Sequence, residues 1–172
     1  MSDISIYELT VTQFIKNLEH LKKFLDKAVR FSESKKIDIE VLLNSRLAPD
    51  QYNFIRQVQN ACDTAKLNAA RLTGKQLPSH EDNEKTLAEV ITRIDSVVDI
   101  LKGLSPEDYK DAAEKKIALP RWEGKHLTGK EYTLHHIVPN FFFHIVTAYD
   151  ILRHNGVELG KRDYLGEFPF RQ

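Results

Sequence analysis

Apolar residues recur along three stretches of the chain with the spacing of one helical face. In the first stretch the steps alternate between four and three residues, at Tyr7, Val11, Phe14, Leu18, Leu21, Leu25 and Ala28. The second stretch has the same face at Phe54, Val58, Ala61, Ala65 and Leu72, interrupted at Asn68. The third has it at Leu87, Ile91, Ile94, Val98 and Leu101. The pattern predicts three amphipathic helices, each burying one apolar seam.

Capping residues predict where these helices begin and end. Asp50 is a candidate N-cap of the second helix, and Asp82 or Asn83 of the third, because short polar side chains accept hydrogen bonds from the first turn. Gly74 and Gly103 follow the last apolar positions and predict the two C-terminal ends.

A fourth helical region is predicted from Thr128 to Asn155, with Gly156 as its stop. It contains Pro139, which lacks a backbone donor and disfavours helical geometry at Val138. We therefore expect this helix to begin afresh, or to kink, near residue 138.

Four helices with matching seams predict an all-α four-helix bundle, formed by one domain over residues 1–172. Short extra helices are expected at residues 38–48 and after Ser105, which precedes Pro106 as a helix start. Residues 110–127 lose helical periodicity, so a small hairpin is expected before the last helix. The connection after the third helix is long enough for a crossover.

Composition narrows the class of protein. Lys plus Arg and Asp plus Glu each number 25, a balance that argues against a nucleic-acid or membrane-surface binder. The lone Cys62 excludes an internal disulfide and suits a reducing compartment. The start "MSDISIYELT" has no signal-peptide pattern, and no apolar run is long enough to span a membrane. We expect a soluble cytoplasmic protein.

The densest candidate chemistry lies in "TLHHIVPNFFFHIVTAYDILRHNG", residues 133–156. On a helical wheel, His144 lies within about 60° of Ile137, Phe141, Ala148 and Ile151, so it should point inward. Asn140 lies about 40° to its other side. A buried imidazole needs a hydrogen-bond partner or a metal. His144 and Asn140 could form hydrogen bonds with each other, with a neighbouring helix or with a buried water. Alternatively, both side chains could belong to a ligand or metal pocket.

The other histidines are expected to contribute less. His136 is a weak candidate metal ligand because it precedes the break at Pro139, and His135 is less constrained still. His20 lies among charged residues and His80 in a polar loop, so both are expected to be solvated. Cys62 lies beside Ala61 and is expected to pack within a helix rather than act as a nucleophile.

Two further segments could reach a pocket. The tail after Gly156, "VELGKRDYLGEFPFRQ", is too apolar to be free. It is expected to wrap across the bundle, or alternatively to cover the mouth of the pocket or join a dimer partner. Arg121 and Trp122 could line the pocket, although packing is the expected role.

The bundle pattern, with "ARLTG" closing the second helix and "PNFFFHIVTAYDILRHNGVELGKRDYLG" forming the fourth helix and tail, resembles a family of uncharacterised bacterial and fungal proteins. That family belongs to the DinB/YfiT-like superfamily of metal-dependent enzymes. The resemblance spans essentially the whole chain and implies a four-helix bundle that forms a homodimer.

The resemblance also implies a site. Members of the superfamily bind a divalent metal through one histidine of the second helix and an H-x-x-x-H pair of the fourth. Here Asn140 and His144 match the pair, and Gln57 is the best match on the second helix, which has no histidine. Amide oxygens are poor ligands for zinc or nickel compared with imidazole or thiolate. The resemblance thus indicates where a site lies and weakens the case for a metal in it.

Three hypotheses remain open at this point. The first is a small-molecule-binding bundle whose pocket is formed by Gln57, Asn140 and His144, with a degenerate metal-ligand set. The second is a divalent-metal enzyme of the thiol-dependent transferase or hydrolase type, with His144 and His136 or His135 as ligands to Zn or Ni. The third is a non-catalytic interaction protein in which these polar residues set the packing.

Overall fold

The computed structural model describes residues 4–171, so residues 1–3 and 172 of the predicted domain lie outside it. Four long helices dominate: α1 (Gln13–Lys35), α3 (Phe54–Thr73), α4 (Leu87–Lys102) and α6 (Val138–His154). Short helices accompany them: α2 (Ile39–Leu43), α5 (Gly129–Tyr132) and α7 (Lys161–Leu165). One two-stranded sheet pairs β1 (Lys116–Ile117) with β2 (Leu127–Thr128).

The four long helices form the predicted all-α bundle. Both α1 and α3 pack against α4 and α6, so α4 and α6 lie at opposite corners. The connection between these two helical regions, residues 103–128, therefore crosses an end of the bundle, as its length predicts. It contains the predicted hairpin, in which β1 and β2 pair antiparallel.

The predicted seams form the core. Along α1 the seam residues are at most 1% exposed, and those of α3 are all buried; on α4, Ile94, Val98 and Leu101 are buried, whereas Leu87 and Ile91 are half-buried. Phe14 of α1 stacks on Phe141 of α6 with ring centroids 3.9 Å apart. Burial of each such large apolar side chain contributes about 1.5–3 kcal/mol, so the seams are a substantial part of the driving force.

Two of the predicted N-caps are wrong, although both C-terminal glycines are correctly placed. The second long helix is capped by Asn53, whose side chain accepts the N–H of Arg56, and not by Asp50. The third is capped by Thr86, which forms a capping box with Glu89. Asp82 cannot serve there, because its carboxylate is paired with Arg56 and Arg93.

The hairpin is held close to the bundle by Gly129, the first residue of α5. A Cβ atom at this position would lie 1.7 Å from the carbonyl oxygen of Ala112, which only a glycine avoids. The next residue, Lys130, donates its N–H to the carbonyl of Ala113. The helix start predicted at Ser105 is also present. The side chain of Asp108 accepts a hydrogen bond from the backbone N–H of Ser105, where the 3₁₀ turn Pro106–Tyr109 begins.

The helix type changes near residue 138, where α6 begins, but the helical chain is not interrupted there. Val138 has helical dihedral angles, and a π-helical turn, Thr133–Ile137, joins α5 to α6. Pro139 would clash with the carbonyl four residues before it in a regular α-helix, and a wider turn relieves this conflict. The helical region therefore runs on from Gly129 to His154.

Buried ionic groups connect α3, α4 and the loop between them; we call this set the charged cluster. At its centre, Arg93 is 2% exposed. Its partners are Asp63, Asp82 and Glu84, at 2.7, 3.2 and 2.9 Å. The expectation of a solvated His80 is wrong, because its Nδ1 accepts from the buried ammonium of Lys66 and its Nε2 lies 2.8 Å from Ser96 Oγ.

The tail lies along α1. The carbonyl of Tyr164 accepts a hydrogen bond of 2.9 Å from Nδ1 of His20, and Asp163 pairs with Lys27 at 2.7 Å. The expectation of an exposed His20 is therefore wrong, since the tail covers it. The tail therefore wraps across the bundle, as expected.

No helix among the described residues 4–171 is both long and apolar enough to cross a membrane.

Candidate functional site

A groove of about 380 Å³ opens between α3 and α6. Helix α3 lines it with Asn60, Asp63, Thr64, Leu67, Asn68 and Arg71. The opposite side carries His136, Asn140 and His144, and the ends are formed by Tyr52, Leu119 and Arg121. The two helices run antiparallel here, since Gln57 contacts His144, whereas Thr64, later on α3, contacts Asn140, earlier on α6. The predicted residues Gln57, Asn140 and His144 therefore lie together, with Gln57 behind the groove wall.

His144 is oriented by Gln57. Its Nδ1 lies 2.7 Å from Oε1 of Gln57, whose Nε2 donates to the carbonyl of Tyr52 at 3.3 Å. Because the amide nitrogen is directed at a carbonyl, the amide oxygen faces the imidazole and Nδ1 must carry the proton. The remaining nitrogen, Nε2, is then an unprotonated acceptor on a side chain that lines the groove.

The imidazole of His144 is neutral at physiological pH. Burial, and to a lesser degree the positive charge of Arg56, lowers the pKa of His144 from 6.5 to about 4. A neutral imidazole of this kind can accept a hydrogen bond or a proton from a bound molecule, although its low pKa makes it a weak base.

Asn140 bonds across the groove and not to His144. Its side-chain amide donates to Thr64 Oγ1 at 2.6 Å, so both predicted residues of α6 find their partners on the neighbouring helix. The amide oxygen of Asn140 and the hydroxyl proton of Thr64 remain to contact a ligand.

Asn68, which interrupts the apolar seam of α3, also belongs to the groove. Its side-chain oxygen accepts a hydrogen bond of 2.6 Å from Tyr132. The same tyrosine accepts from Arg71 at 2.9 Å. The polar residue within the apolar spacing of α3 was the sequence signal for these hydrogen bonds. The spacing alone could not identify Tyr132 of α5 as the partner of Asn68.

His136 lines the groove because the π-helical turn keeps it on the helix that carries Asn140. Its Nε2 accepts a hydrogen bond from Arg121 at 2.8 Å, and its ring stacks on Tyr132 with centroids 5.1 Å apart. Burial and the charges of Arg121 and Arg71 lower the pKa of His136. Arg121 therefore lines the groove, whereas Trp122 packs against Tyr132.

The remaining candidates lie elsewhere. His135 and His154 are exposed and do not line the groove. Cys62 is fully buried, and burial raises the pKa of its thiol to about 12, so it is not a thiolate nucleophile. No tail residue lines the groove, which excludes the tail as its cover in this structure.

The side chains of the groove do not fit the three-ligand metal centre that the resemblance implies. Among residues 4–171, no three His, Cys, Asp or Glu side chains are grouped to hold a metal ion. Gln57 and Asn140 offer amides where imidazoles are expected, and the other imidazole, His136, receives a hydrogen bond from a guanidinium cation. A transition metal prefers imidazole or thiolate donors, so this donor set does not fit a zinc or nickel centre.

Comparisons with known proteins agree with the fold and the resemblance. The family model described as a domain of unknown function (DUF1993) matches residues 6–165. A crystal structure of a DinB family member protein from Shewanella denitrificans is 57% identical. The match covers 96% of this chain and 94% of that one, with a TM-score of 0.94. No curated protein matches the chain. The predicted DinB-like resemblance is confirmed, and the chain belongs to the DUF1993 family.

Proposed function

We propose that this protein binds a small molecule in the groove between α3 and α6, with His144 and Asn140 contacting the ligand and Gln57 orienting His144. The observation that carries the proposal is the hydrogen bond between His144 Nδ1 and Gln57 Oε1. It fixes the tautomer and leaves Nε2 as an acceptor that makes no hydrogen bond within residues 4–171.

The chemistry of the groove selects ligands with a hydrogen-bond donor. A hydroxyl or amino group would satisfy Nε2 of His144, and a second polar group could pair with Asn140 and Thr64. Ligand sites commonly combine a preformed concave wall with a few polar groups that fix orientation. The groove has this character, because each of these side chains is already held by a neighbour on the opposite helix.

Homodimerisation is a second part of the proposal. Phe143 and Val146 of α6, with Leu67 and Tyr52 of the groove lining, are 39–55% exposed. Phe143 packs edge-on against His144, with centroids 5.3 Å apart. Exposed large apolar side chains on both helices of the groove favour association with a second copy. We expect sedimentation velocity to detect a dimer and Phe143→Ser to shift it toward monomer; an unchanged association would argue against this face.

The binding proposal is tested with tag-free, full-length protein. A library of small hydroxylated and amino compounds is screened by thermal shift, and each hit is titrated by calorimetry into the wild type and His144→Phe. We expect loss of the Nε2 acceptor to weaken binding by about tenfold or more. The matched control is His135→Phe, which changes an exposed histidine of the same helical region.

Two results would contradict the proposal. The first is a screen in which every hit binds His144→Phe as tightly as the wild type. The second comes from elemental analysis of the same preparations: near-stoichiometric metal that is lost in His144→Ala would show that His144 serves a metal centre instead.

A further inference from the structure

Two guanidinium groups flank the end of the groove that lies nearest α5. Arg71 donates to the hydroxyl of Tyr132 at 2.9 Å, and Arg121 donates to Nε2 of His136 at 2.8 Å. The rings of Tyr132 and His136 are themselves stacked, 5.1 Å apart at an interplanar angle of 25°. Both cations lie close enough to His136 to lower its pKa. The guanidinium groups of Arg71 and Arg121 are thus held near one another, because each is hydrogen-bonded to one ring of the stacked Tyr132–His136 pair.

Neither guanidinium has a counterion among residues 4–171, where no carboxylate oxygen lies within ion-pair distance of Arg71 or Arg121. Asp63 is the one acid that lines the groove, and its carboxylate is paired with Arg93 and Lys66. Each guanidinium has five N–H donors. Arg71 donates to Tyr132 and to Asn68 Oδ1, and Arg121 donates to His136, so further donors of both groups remain for a ligand. Two like charges beside a neutral imidazole create a local excess of positive charge that an anion would balance.

We infer that Arg71 and Arg121 form an anion subsite at this end of the groove, which binds a carboxylate or phosphate group of the ligand. Planar guanidinium groups bind such oxyanions through paired, charge-assisted hydrogen bonds. His136 positions Arg121 by accepting one of its N–H groups.

The inference rests on the proposed function and narrows it to a ligand class. His136 and His144 are eight residues apart, which corresponds to roughly 12 Å along a helix. A ligand that occupies both ends therefore carries an oxyanion at one end and a hydroxyl or amino donor at the other, separated by a span of that order.

Inorganic phosphate is the probe for the subsite alone. It is titrated at low ionic strength into isotopically labelled full-length protein, and backbone amide shifts are followed by NMR. We expect saturable shifts near Arg71 and His136. Arg121→Gln and Arg71→Gln should each weaken phosphate binding by about tenfold or more, and the double variant should abolish it. Arg30→Gln, a change at an exposed arginine outside the groove, should leave it unchanged.

Arg121→Gln carries the test if Arg71→Gln disturbs the fold, because Arg121 is exposed whereas Arg71 supports Tyr132. Phosphate that binds Arg121→Gln as it binds the wild type would overturn the subsite, as would shifts located outside the groove. His144→Phe separates this result from the parent proposal, since it should spare phosphate binding. If uncharged compounds from the screen bind in a way that depends on His144 while phosphate does not bind the wild type, the anion subsite is refuted and the parent proposal stands.

Discussion

Helix α3 carries two polar surfaces, and their hydrogen bonding differs in kind. On the side of α4, the charged cluster pairs Arg93 with three acids and Lys66 with Asp63 and His80. On the side of α6, the groove places neutral amides, hydroxyls and imidazoles opposite one another and leaves two guanidiniums without a described counterion. The charges of the first surface are paired within the fold and connect the loop to the bundle, whereas the two guanidiniums of the second have no carboxylate partner among the described residues.

The largest expected effect concerns the charged cluster. Replacing Arg93 by Met leaves Asp63, Asp82 and Glu84 without their shared cation, and removing one partner of a buried ion pair costs about 3–5 kcal/mol. Urea unfolding at neutral pH measures this loss in the free energy of unfolding. Arg30→Met is the control, because Arg30 is exposed. A loss no greater than that of the control would remove the structural role assigned to the cluster.

The next effect is a dependence of stability on pH at the groove. Because the pKa of His144 falls from 6.5 to about 4 on folding, the native state binds its proton less tightly than the unfolded state. The contribution of neutral His144 to the free energy of unfolding is therefore intact above the unfolded pKa of 6.5. It is lost as pH falls from 6.5 to about 4, and the total loss is on the order of 3 kcal/mol. Urea unfolding across this interval should give a shallower dependence for His144→Phe than for the wild type.

Part of that dependence should survive in the variant. Burial also lowers the pKa of His20, His80 and His136, so their contributions have the same sign. His154→Phe provides the control at an exposed position. Parallel curves for the wild type and His144→Phe would contradict the buried, neutral imidazole.

A smaller effect is expected from Gln57→Leu. It removes the acceptor of His144 Nδ1, and an unpaired donor that is nearly buried costs about 1–3 kcal/mol. Imidazole nitrogen shifts measured by NMR should also change from a single Nδ1-protonated tautomer to a mixture. Gln13→Leu, at an exposed site, should alter neither quantity. A single tautomer in Gln57→Leu would show that another group orients His144.

The smallest change in stability is expected for Arg121→Ala, within about 0.5 kcal/mol, as for most surface substitutions. This small expected change in the free energy of unfolding contrasts with the large loss expected when Arg93 is replaced. Thermal unfolding of the two variants side by side provides the measurement. A large loss for Arg121→Ala would mean that the hydrogen bond to His136 holds the hairpin in place.

The four helices could be predicted because their seams depend on local spacing alone. The position of Gln57 opposite His144 was likewise accessible, since the family resemblance aligns the two helices. Features formed by segments that are distant in the sequence could not be predicted. His20 is covered by a residue 144 positions later in the chain, and no pattern around it indicates this. Asp82 has the right chemistry for an N-cap, but Arg93 and Arg56 bind its carboxylate.

His136 illustrates a subtler limit. Proline rules predicted an interruption and therefore separated His136 from Asn140, yet the chain accommodates Pro139 by widening one turn. Whether a helix breaks or widens depends on the surrounding packing, and Ile137 and Tyr132 on either side of His136 are fully buried. Tertiary contacts thus decide an outcome that the local sequence leaves undetermined.

The π-helical turn Thr133–Ile137 also has a consequence for how the groove could diverge among relatives. Such a turn is equivalent to one inserted residue, and each residue rotates a helix by about 100°. Deleting one residue there would turn His136, α5 and the hairpin about the helix axis while Asn140 and His144 keep their places. A single residue gained or lost would therefore change which side chains of α5 and the hairpin lie opposite those of α6 in the groove.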